Sequence, residues 1–548
     1  MKVIIVGGVA GGAGTATRLR RVDESAEIII FEKGDYLSYA NCGLPYYVGN
    51  TIADRNNLFV VPNQLFKSRF NIDVRKKQEV VRIDLKNKLV TVKKINNGET
   101  YQECFDKLVL SPGANPVPYP AKENDYKRVF TLRTVRDADR MKTFLQKYKV
   151  KHAVIVGGGF IGLEIAENLH QQGVNITLLE LANQVMAPLD FSMASFVHQH
   201  LKSKGIELML AKGVANFEEH NNGITVELTR GEKIETDMVV WSVGVRPDTK
   251  LAKEAGIELG TLGGIKVNDY MQTSHPDVYA LGDAIEVLQP VINMPALIPL
   301  AGPANKQARI VADNVAFGNE NIYKGSYGVA IAKVFDMTVA SVGANAKMLI
   351  KAGIKYQSSY TQSFSHATYY PGAKPLVIKI IFDKESGKLY GAQVVGYEGV
   401  DKRIDMLAGI IEKGGTVTDL CELEQAYAPP YSSAKDPVNM AGFVADNILS
   451  GKVKVVHWRD VSNQDAFILD VRNKQEFLKE HIEGAVNIPI DKLRNRLKEL
   501  PKNKKIFIIC AIGLRGYIAC RLLSQSGFQD VANVSGGYNV YKTAMASV

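Results

Sequence analysis

The sequence predicts an α/β chain built around two Rossmann-like nucleotide-binding units. Two glycine-rich turns carry that reading, Val6-Gly7-Gly8-Val9-Ala10-Gly11-Gly12 and Val156-Gly157-Gly158-Gly159-Phe160-Ile161-Gly162, each following an apolar strand and opening a helical pattern. An acid then closes the next apolar strand in both units: Glu32 after Ile28-Ile29-Ile30-Phe31, and Glu180 after Ile176-Thr177-Leu178-Leu179. In such a unit glycine lets the backbone approach a pyrophosphate, the helix N-terminus faces its charge, and the acid accepts ribose hydroxyls. The residues expected to do this are Gly7, Gly8, Gly12 and Glu32 in the first unit, and Gly157, Gly159, Gly162 and Glu180 in the second. The second turn fits GxGxxG strictly. The first carries Val9 at the middle glycine position, so its meaning rests on its neighbours.

One neighbour is Thr273-Ser274-His275-Pro276-Asp277-Val278-Tyr279-Ala280-Leu281-Gly282-Asp283-Ala284. It resembles the second flavin fingerprint of the disulfide-reductase-like flavoproteins, in which the Asp after Gly binds the ribityl chain, and the resemblance gives that role to Asp283. The linking strands Leu108–Ala114, with Gly113 at the cofactor, and Val239–Pro247 resemble the same superfamily. The first unit is therefore expected to hold FAD and the second NAD. Glu180 would repel a 2′-phosphate, which favours NADH over NADPH.

At 548 residues the chain has room for about three or four domains. A first nucleotide-binding domain is expected over 1–115 and 246–325, split by a second over 116–245. From Tyr327 the pattern turns to alternating strands and then a helix near Arg403–Glu412, an α+β domain over 326–448. A short, flexible basic linker, Ser450-Gly451-Lys452-Val453-Lys454, is expected to lead to a last small domain over 455–548. No apolar run approaches the roughly 18 residues that span a bilayer, and the apolar start is consumed as the first strand, so a cytoplasmic protein is expected. The net charge of +10 is diffuse, without a basic tail or aromatic-basic motif, which argues against nucleic acid. Five scattered cysteines make no disulfide framework, and no metal site is expected.

Cys42 is the candidate redox residue. Gly43-Leu44-Pro45-Tyr46-Tyr47 follows it with no second cysteine, so it would cycle through a mixed disulfide, a persulfide or a sulfenic acid. It follows the Glu32 strand, where the flavoproteins that this chain resembles start the helix that points a thiol at the flavin, and a helix N-terminus would lower the thiol pKa.

The segment Ser38-Tyr39-Ala40-Asn41-Cys42-Gly43-Leu44-Pro45-Tyr46-Tyr47 resembles the single-cysteine motif Ser-Phe-Ala-Asn-Cys-Gly-Leu-Pro-Tyr-Tyr of the coenzyme A-disulfide and coenzyme A-persulfide reductases, with Tyr39 in place of Phe. The resemblance spans 1–447 and includes Glu424-Gln425-Ala426-Tyr427-Ala428-Pro429-Pro430-Tyr431. It implies a homodimer whose domain over 326–448 forms the interface. It also implies that Tyr369 and Tyr427 of one subunit lie beside the active cysteine of the other, where a phenol can protonate a departing thiolate. Ser38 and Asn41 would line the substrate site, with Arg18, Arg21 and Arg69 meeting coenzyme A phosphates.

The last block carries a second thiol. The strand Ile506-Phe507-Ile508-Ile509 ends in Cys510-Ala511-Ile512-Gly513-Leu514-Arg515, where backbone N–H groups and Arg515 would stabilise a thiolate or persulfide. With His481–Pro489 and Val534-Ser535-Gly536-Gly537-Tyr538, it resembles a single rhodanese domain. Cys104, Cys421 and Cys520 match no motif and are expected to be structural.

These parts predict NADH-driven reduction of coenzyme A disulfide, coenzyme A persulfide or polysulfide at Cys42, with Cys510 carrying sulfane sulfur from polysulfide or thiosulfate. Two alternatives stay open. An NADH oxidase or peroxidase shares the architecture, although the peroxidase branch has a His where this chain has Ala10. The other is a redox-dependent sensing protein whose last domain docks a partner.

Overall fold

The computed structural model describes residues 1–120, 126–462 and 465–548. They form two compact units, Met1–Ala182 with Met209–Gly328, and Asn183–Leu208 with Val329–Val548.

The first unit holds both nucleotide-binding sheets. Five strands order as Val278–Ala280, Lys107–Leu110, Lys2–Val6, Glu27–Glu32 and Asp73–Lys76, all parallel. Their centres read Val-Ile-Ile-Val and Ile-Ile-Ile-Phe because a parallel sheet is covered on both faces. The helix Ala10–Val22 leaves the first glycine turn and packs on Ala301–Phe317, with Gly14 beside Ala308. The second sheet repeats the plan, with Asn175–Glu180, His152–Val156, Met238–Trp241 and Val129–Phe130 in parallel register. Each has an antiparallel three-stranded companion, over Gln78–Cys104 and Val214–Thr236.

The second unit contains an antiparallel sheet in the order Ala330–Val334, Met337–Gly343, Leu389–Gly396, Pro375–Phe382 and Gln357–Phe364. Helices Val400–Glu412 and Pro437–Leu449 cover it. The observed helix starts at Val400, ahead of the predicted Arg403. A parallel sheet follows, ordered Lys454–Val456, Val531–Val534, Ile506–Ile509, Phe467–Asp470 and Val486–Asn487.

Two expectations change. Residues 183–208, read within the second nucleotide-binding block, fold with the second unit. The reason is electrostatic: Lys379 lies in an otherwise apolar strand, and Asp190 meets its ammonium at 2.7 Å while accepting from Gln393 at 2.8 Å. A buried cation without that carboxylate would carry a heavy desolvation cost. Phe191 also stacks on Trp458 with ring centroids 5.8 Å apart.

The basic linker is not a free tether. Val453 is buried and donates its N–H to Asn447 at 3.1 Å, while Arg521 donates to the Lys452 carbonyl. The last domain is bonded to the edge strand Gln357–Phe364: Tyr360 N–H donates to Ser535 Oγ at 3.1 Å, and Gln362 Nε2 donates to the Gly536 carbonyl at 2.7 Å. Edge strands expose unpaired backbone groups, and this contact satisfies one.

Candidate active site

The two glycine turns are built alike. Gly7 and Gly157 have φ of +95° and +106°, and a Cβ on either would lie 2.1 Å from the Ser111 carbonyl oxygen or 2.4 Å from that of Ser242. A Cβ on Gly12 or Gly162 would strike the first glycine's carbonyl oxygen. Neither position admits a side chain, so strand and helix close tightly around the turn. A Cβ on Gly159, by contrast, would meet nothing within 4 Å, which leaves the backbone open to a ligand.

The acids are also placed alike. Glu32 is 9% exposed and accepts from Gly8 N–H at 2.9 Å and Gly34 N–H at 2.6 Å. Glu180 accepts from Gly158 N–H at 2.7 Å and Ala182 N–H at 2.8 Å. Each carboxylate oxygen keeps a lone pair for a ribose hydroxyl. Asp283 is the central residue of the 3-10 turn Gly282–Ala284, and its carboxyl is pushed up by burial with Arg133 opposing at 3.5 Å. Gly113 lies against the same guanidinium, which donates to the Ala114 carbonyl at 2.9 Å. These residues fit a dinucleotide at each turn.

Cys42 lies in the 3-10 turn Asn41–Gly43, which runs into the helix Leu44–Val48. The turn is anchored by backbone bonds: Ser38, at φ +47°, donates to the Gly8 carbonyl at 2.9 Å, and Ala40 donates to Leu58 at 2.8 Å. Asn41 Oδ1 is buried without a hydrogen-bond partner among the described residues. The predicted lowering of the thiol pKa does not hold for the chain itself. Although Cys42 keeps solvent contact, surrounding protein pushes its thiol up, the Glu164 and Asp283 carboxylates add to this, and Arg133 opposes. The five-residue helix is too short for its dipole to outweigh two carboxylates.

The arginines expected at the phosphates, and Arg20 between two of them in sequence, divide. Arg18 is held by Asp313 in a two-pronged pair at 2.7 and 3.1 Å. Arg20 is 5% exposed and donates to backbone carbonyls of Phe70, Glu24 and Ala26, which makes it a structural tie. Arg21 and Arg69 remain exposed. Asp313 had no sequence signal, because its partner lies 295 positions away.

In the second unit Tyr369 and Tyr427, 74% and 47% exposed, bring their hydroxyls within 2.6 Å of each other. Cys510 ends its strand 1% exposed, and Gly513 N–H donates to its Sγ at 3.1 Å. Arg515 does not serve as a free cation beside the thiol. It forms a two-pronged pair with Glu476 at 2.8 and 2.7 Å, which holds the Glu476 carboxyl down at about 2. Sequence reading missed Glu476, although its place three residues after Asn473 marks a capping box. Arg472 is likewise taken by Asp470 at 2.7 Å. All five cysteines are free; burial pushes the thiols of Cys421 and Cys520 up, and Cys104 is exposed. Among the described residues no cluster of His, Cys, Asp and Glu suits a metal, and no helix is long and apolar enough to cross a membrane.

Comparison with known proteins agrees with this architecture. Residues 1–306 match the family described as pyridine nucleotide-disulphide oxidoreductase, 329–437 its dimerisation domain, and 456–544 the rhodanese-like domain. The coenzyme A disulfide reductase of Staphylococcus haemolyticus is 38% identical over 450 residues, 82% of this chain and 100% of that protein. The crystal structure of reduced Bacillus anthracis CoADR-RHD is similar with TM-score 0.96 and 48% identity, covering 100% of this chain and 98% of that one. The NAD-dependent persulfide reductase from A. fulgidus is similar with TM-score 0.93 and 36% identity, covering 99% and 100%. The chain thus belongs to the coenzyme A disulfide reductase group of the pyridine nucleotide-disulphide oxidoreductases, in the form that carries a C-terminal rhodanese domain.

Proposed function

We propose that this protein is an NADH-dependent flavoprotein reductase of coenzyme A disulfide, coenzyme A persulfide or polysulfide. The observation that carries the reading is a solvent-reached thiol, Cys42, in the turn that enters a helix and is bonded through Ser38 to the first glycine turn, on the compact unit that holds both dinucleotide turns. The proposed domain limits are 1–115 with 246–325 for FAD, 116–245 for NADH apart from the 183–208 segment that groups with the second unit, 326–448 for dimerisation and 455–548 for rhodanese. Gly7, Gly8, Gly12, Glu32, Gly113 and Asp283 would hold FAD, and Gly157, Gly159, Gly162 and Glu180 would hold NADH. The flavin, when bound, supplies two-electron transfer from the nicotinamide to the sulfur site.

The Cys42 thiolate attacks one sulfur of coenzyme A disulfide, forming a Cys42–coenzyme A disulfide and releasing one coenzyme A thiolate. In a homodimer the Tyr369–Tyr427 pair of one subunit would face Cys42 of the other and give that thiolate its proton. Two electrons then return Cys42 and the second coenzyme A to thiolates; with a persulfide the released product is sulfide. Ser38 and Asn41 would orient the substrate, with Arg21 and Arg69 at its phosphates. Arg18 would act there only by leaving Asp313. Cys510 would take sulfane sulfur as a persulfide and pass it to a thiol. Because Arg515 and Arg472 each already hold a carboxylate, polysulfide or an organic persulfide suits this loop better than the thiosulfate dianion.

Anaerobic steady-state NADH oxidation with the three sulfur substrates tests the reading. Turnover with at least one of them, lost in Cys42→Ser, is expected. NADH oxidation that needs only dioxygen and ignores all three would overturn it in favour of an oxidase.

A further inference from the structure

The sulfur chemistry proposed above requires a thiolate at Cys42, yet nothing assigned so far explains how its ionisation is controlled. One helical turn beyond Cys42, the Tyr46 hydroxyl donates to Glu164 Oε1 at 3.4 Å. Glu164 lies on Phe160–His170, the helix that leaves the second glycine turn, and this helix packs against Leu44–Val48. The second nucleotide-binding unit thereby sets a carboxyl group against the segment that carries the redox thiol.

The charged groups around this contact can be named. Glu167, on the same helix as Glu164 and 2% exposed, lies near enough to oppose its ionisation. On the Cys42 side stand Asp283 and, with opposite sign, Arg133. The far side of Leu44–Val48 carries Tyr47, whose hydroxyl donates to Asp139 at 3.2 Å. Arg55 pairs with Asp139 at 2.7 Å, and Lys142 donates to the Tyr47 carbonyl at 3.0 Å. That outer group is internally balanced, whereas among the described residues the Glu164 carboxyl meets only the Tyr46 phenol.

We propose that Glu164 is a positioning residue for the sulfur reaction: it acts through Tyr46 and the field it sets at Cys42, permitting the thiolate when protonated and opposing it when ionised. Burial, assisted by Glu167, raises the Glu164 carboxyl to about 7 while the Tyr46 bond works against the rise, so its charge changes within the neutral range. A like charge close to a titrating group disfavours ionisation of that group. The thiolate would therefore grow less steeply as pH rises through neutrality than that of an isolated thiol. The inference rests on Cys42 being the redox thiol, but its test reads the thiol directly and needs no sulfur substrate.

The test follows the alkylation rate of Cys42 by iodoacetamide against pH in the flavin-loaded full-length protein, with mass spectrometry of the Cys42 peptide as readout. In the wild type the profile should bend near neutrality. Glu164→Gln should give a single titration and alkylate at least about threefold faster at pH 8, the consequence of roughly half a pKa unit at the thiol. Glu164→Asp, which keeps the charge, should retain the bend. Tyr46→Phe removes the hydroxyl that favours the carboxylate and should move the bend to higher pH, which provides a second reading should Glu164→Gln fail to fold. A Glu164→Gln profile that superimposes on the wild type, or an unmoved bend in Tyr46→Phe, overturns the proposal. If instead the alkylation profiles behave as expected while no sulfur substrate is reduced, the functional reading fails and the control of Cys42 stands.

Discussion

Cys42 is held by its backbone: the bond from Ser38 to Gly8 ties its turn to the first glycine loop, and that from Ala40 to Leu58 ties it to the 3-10 helix Arg55–Leu58. Its side chain contributes chemistry and little packing. Cys42→Ser should therefore bind flavin as the wild type does and lose NADH-dependent reduction of every sulfur substrate; absorbance spectra and anaerobic turnover check both halves. Retained persulfide reduction would place the chemistry elsewhere. Glu180 supports a second prediction at this scale. Its carboxylate, fixed by Gly158 and Ala182, would oppose a 2′-phosphate, so kcat/KM for NADH should exceed that for NADPH by at least about tenfold, roughly 1.4 kcal/mol. Equal values would refute that role.

At the scale of the element, the two glycines of one turn separate folding from binding. A Cβ on Gly162 would lie 1.9 Å from the Gly157 carbonyl oxygen, so Gly162→Ala should cost on the order of 2 kcal/mol of stability. Gly159 has ordinary negative φ and open space around it, so Gly159→Ala should leave the denaturation midpoint unchanged while raising KM for NADH. Equal stability losses in both variants would contradict the reading of Gly159 as the point of backbone approach. Helix Phe191–Ser203 and the segment after the linker carry His198 and His457. Burial lowers both to about 4, and His198 Nε2 accepts from Val185 N–H at 3.2 Å. A His depressed below its ordinary 6.5 contributes stability above that value and loses it as pH falls toward 4, because only the unfolded chain then takes up the proton. Denaturation followed from pH 7 to pH 4 should show this decline, and His198→Gln should flatten it.

At the scale of the whole molecule, Cys42 and Cys510 belong to different compact units, so their substitutions should act independently on substrates that visit one site only. Cys510→Ser should abolish sulfur transfer from polysulfide yet leave reduction of preformed coenzyme A persulfide near the wild-type rate. If sulfide release from preformed persulfide falls as far as in Cys42→Ser, the two thiols form one site. The bonded linker predicts that limited trypsin digestion does not preferentially cut at Lys452 or Lys454. Early release of the C-terminal domain would contradict the contacts through Tyr360, Gln362 and Val453.

What this chain declares in one dimension is whatever depends on neighbours in sequence. The glycine turns, the acids that close the following strands, the lone Cys42 motif and the Cys510 loop are local, since glycine conformation, strand period and a helix start need only a few adjacent residues. Tertiary structure decided what those residues do with charge. Only folding set Asp313 on Arg18, Glu476 on Arg515 and Asp190 on Lys379, and turned three apparent free cations into compensated ones. It also placed Glu164 against Tyr46, where burial and two carboxylates hold the Cys42 thiol above the value its helix position predicted. The Coulomb energy of a pair depends on distance and local dielectric, and neither is encoded by separation along the chain.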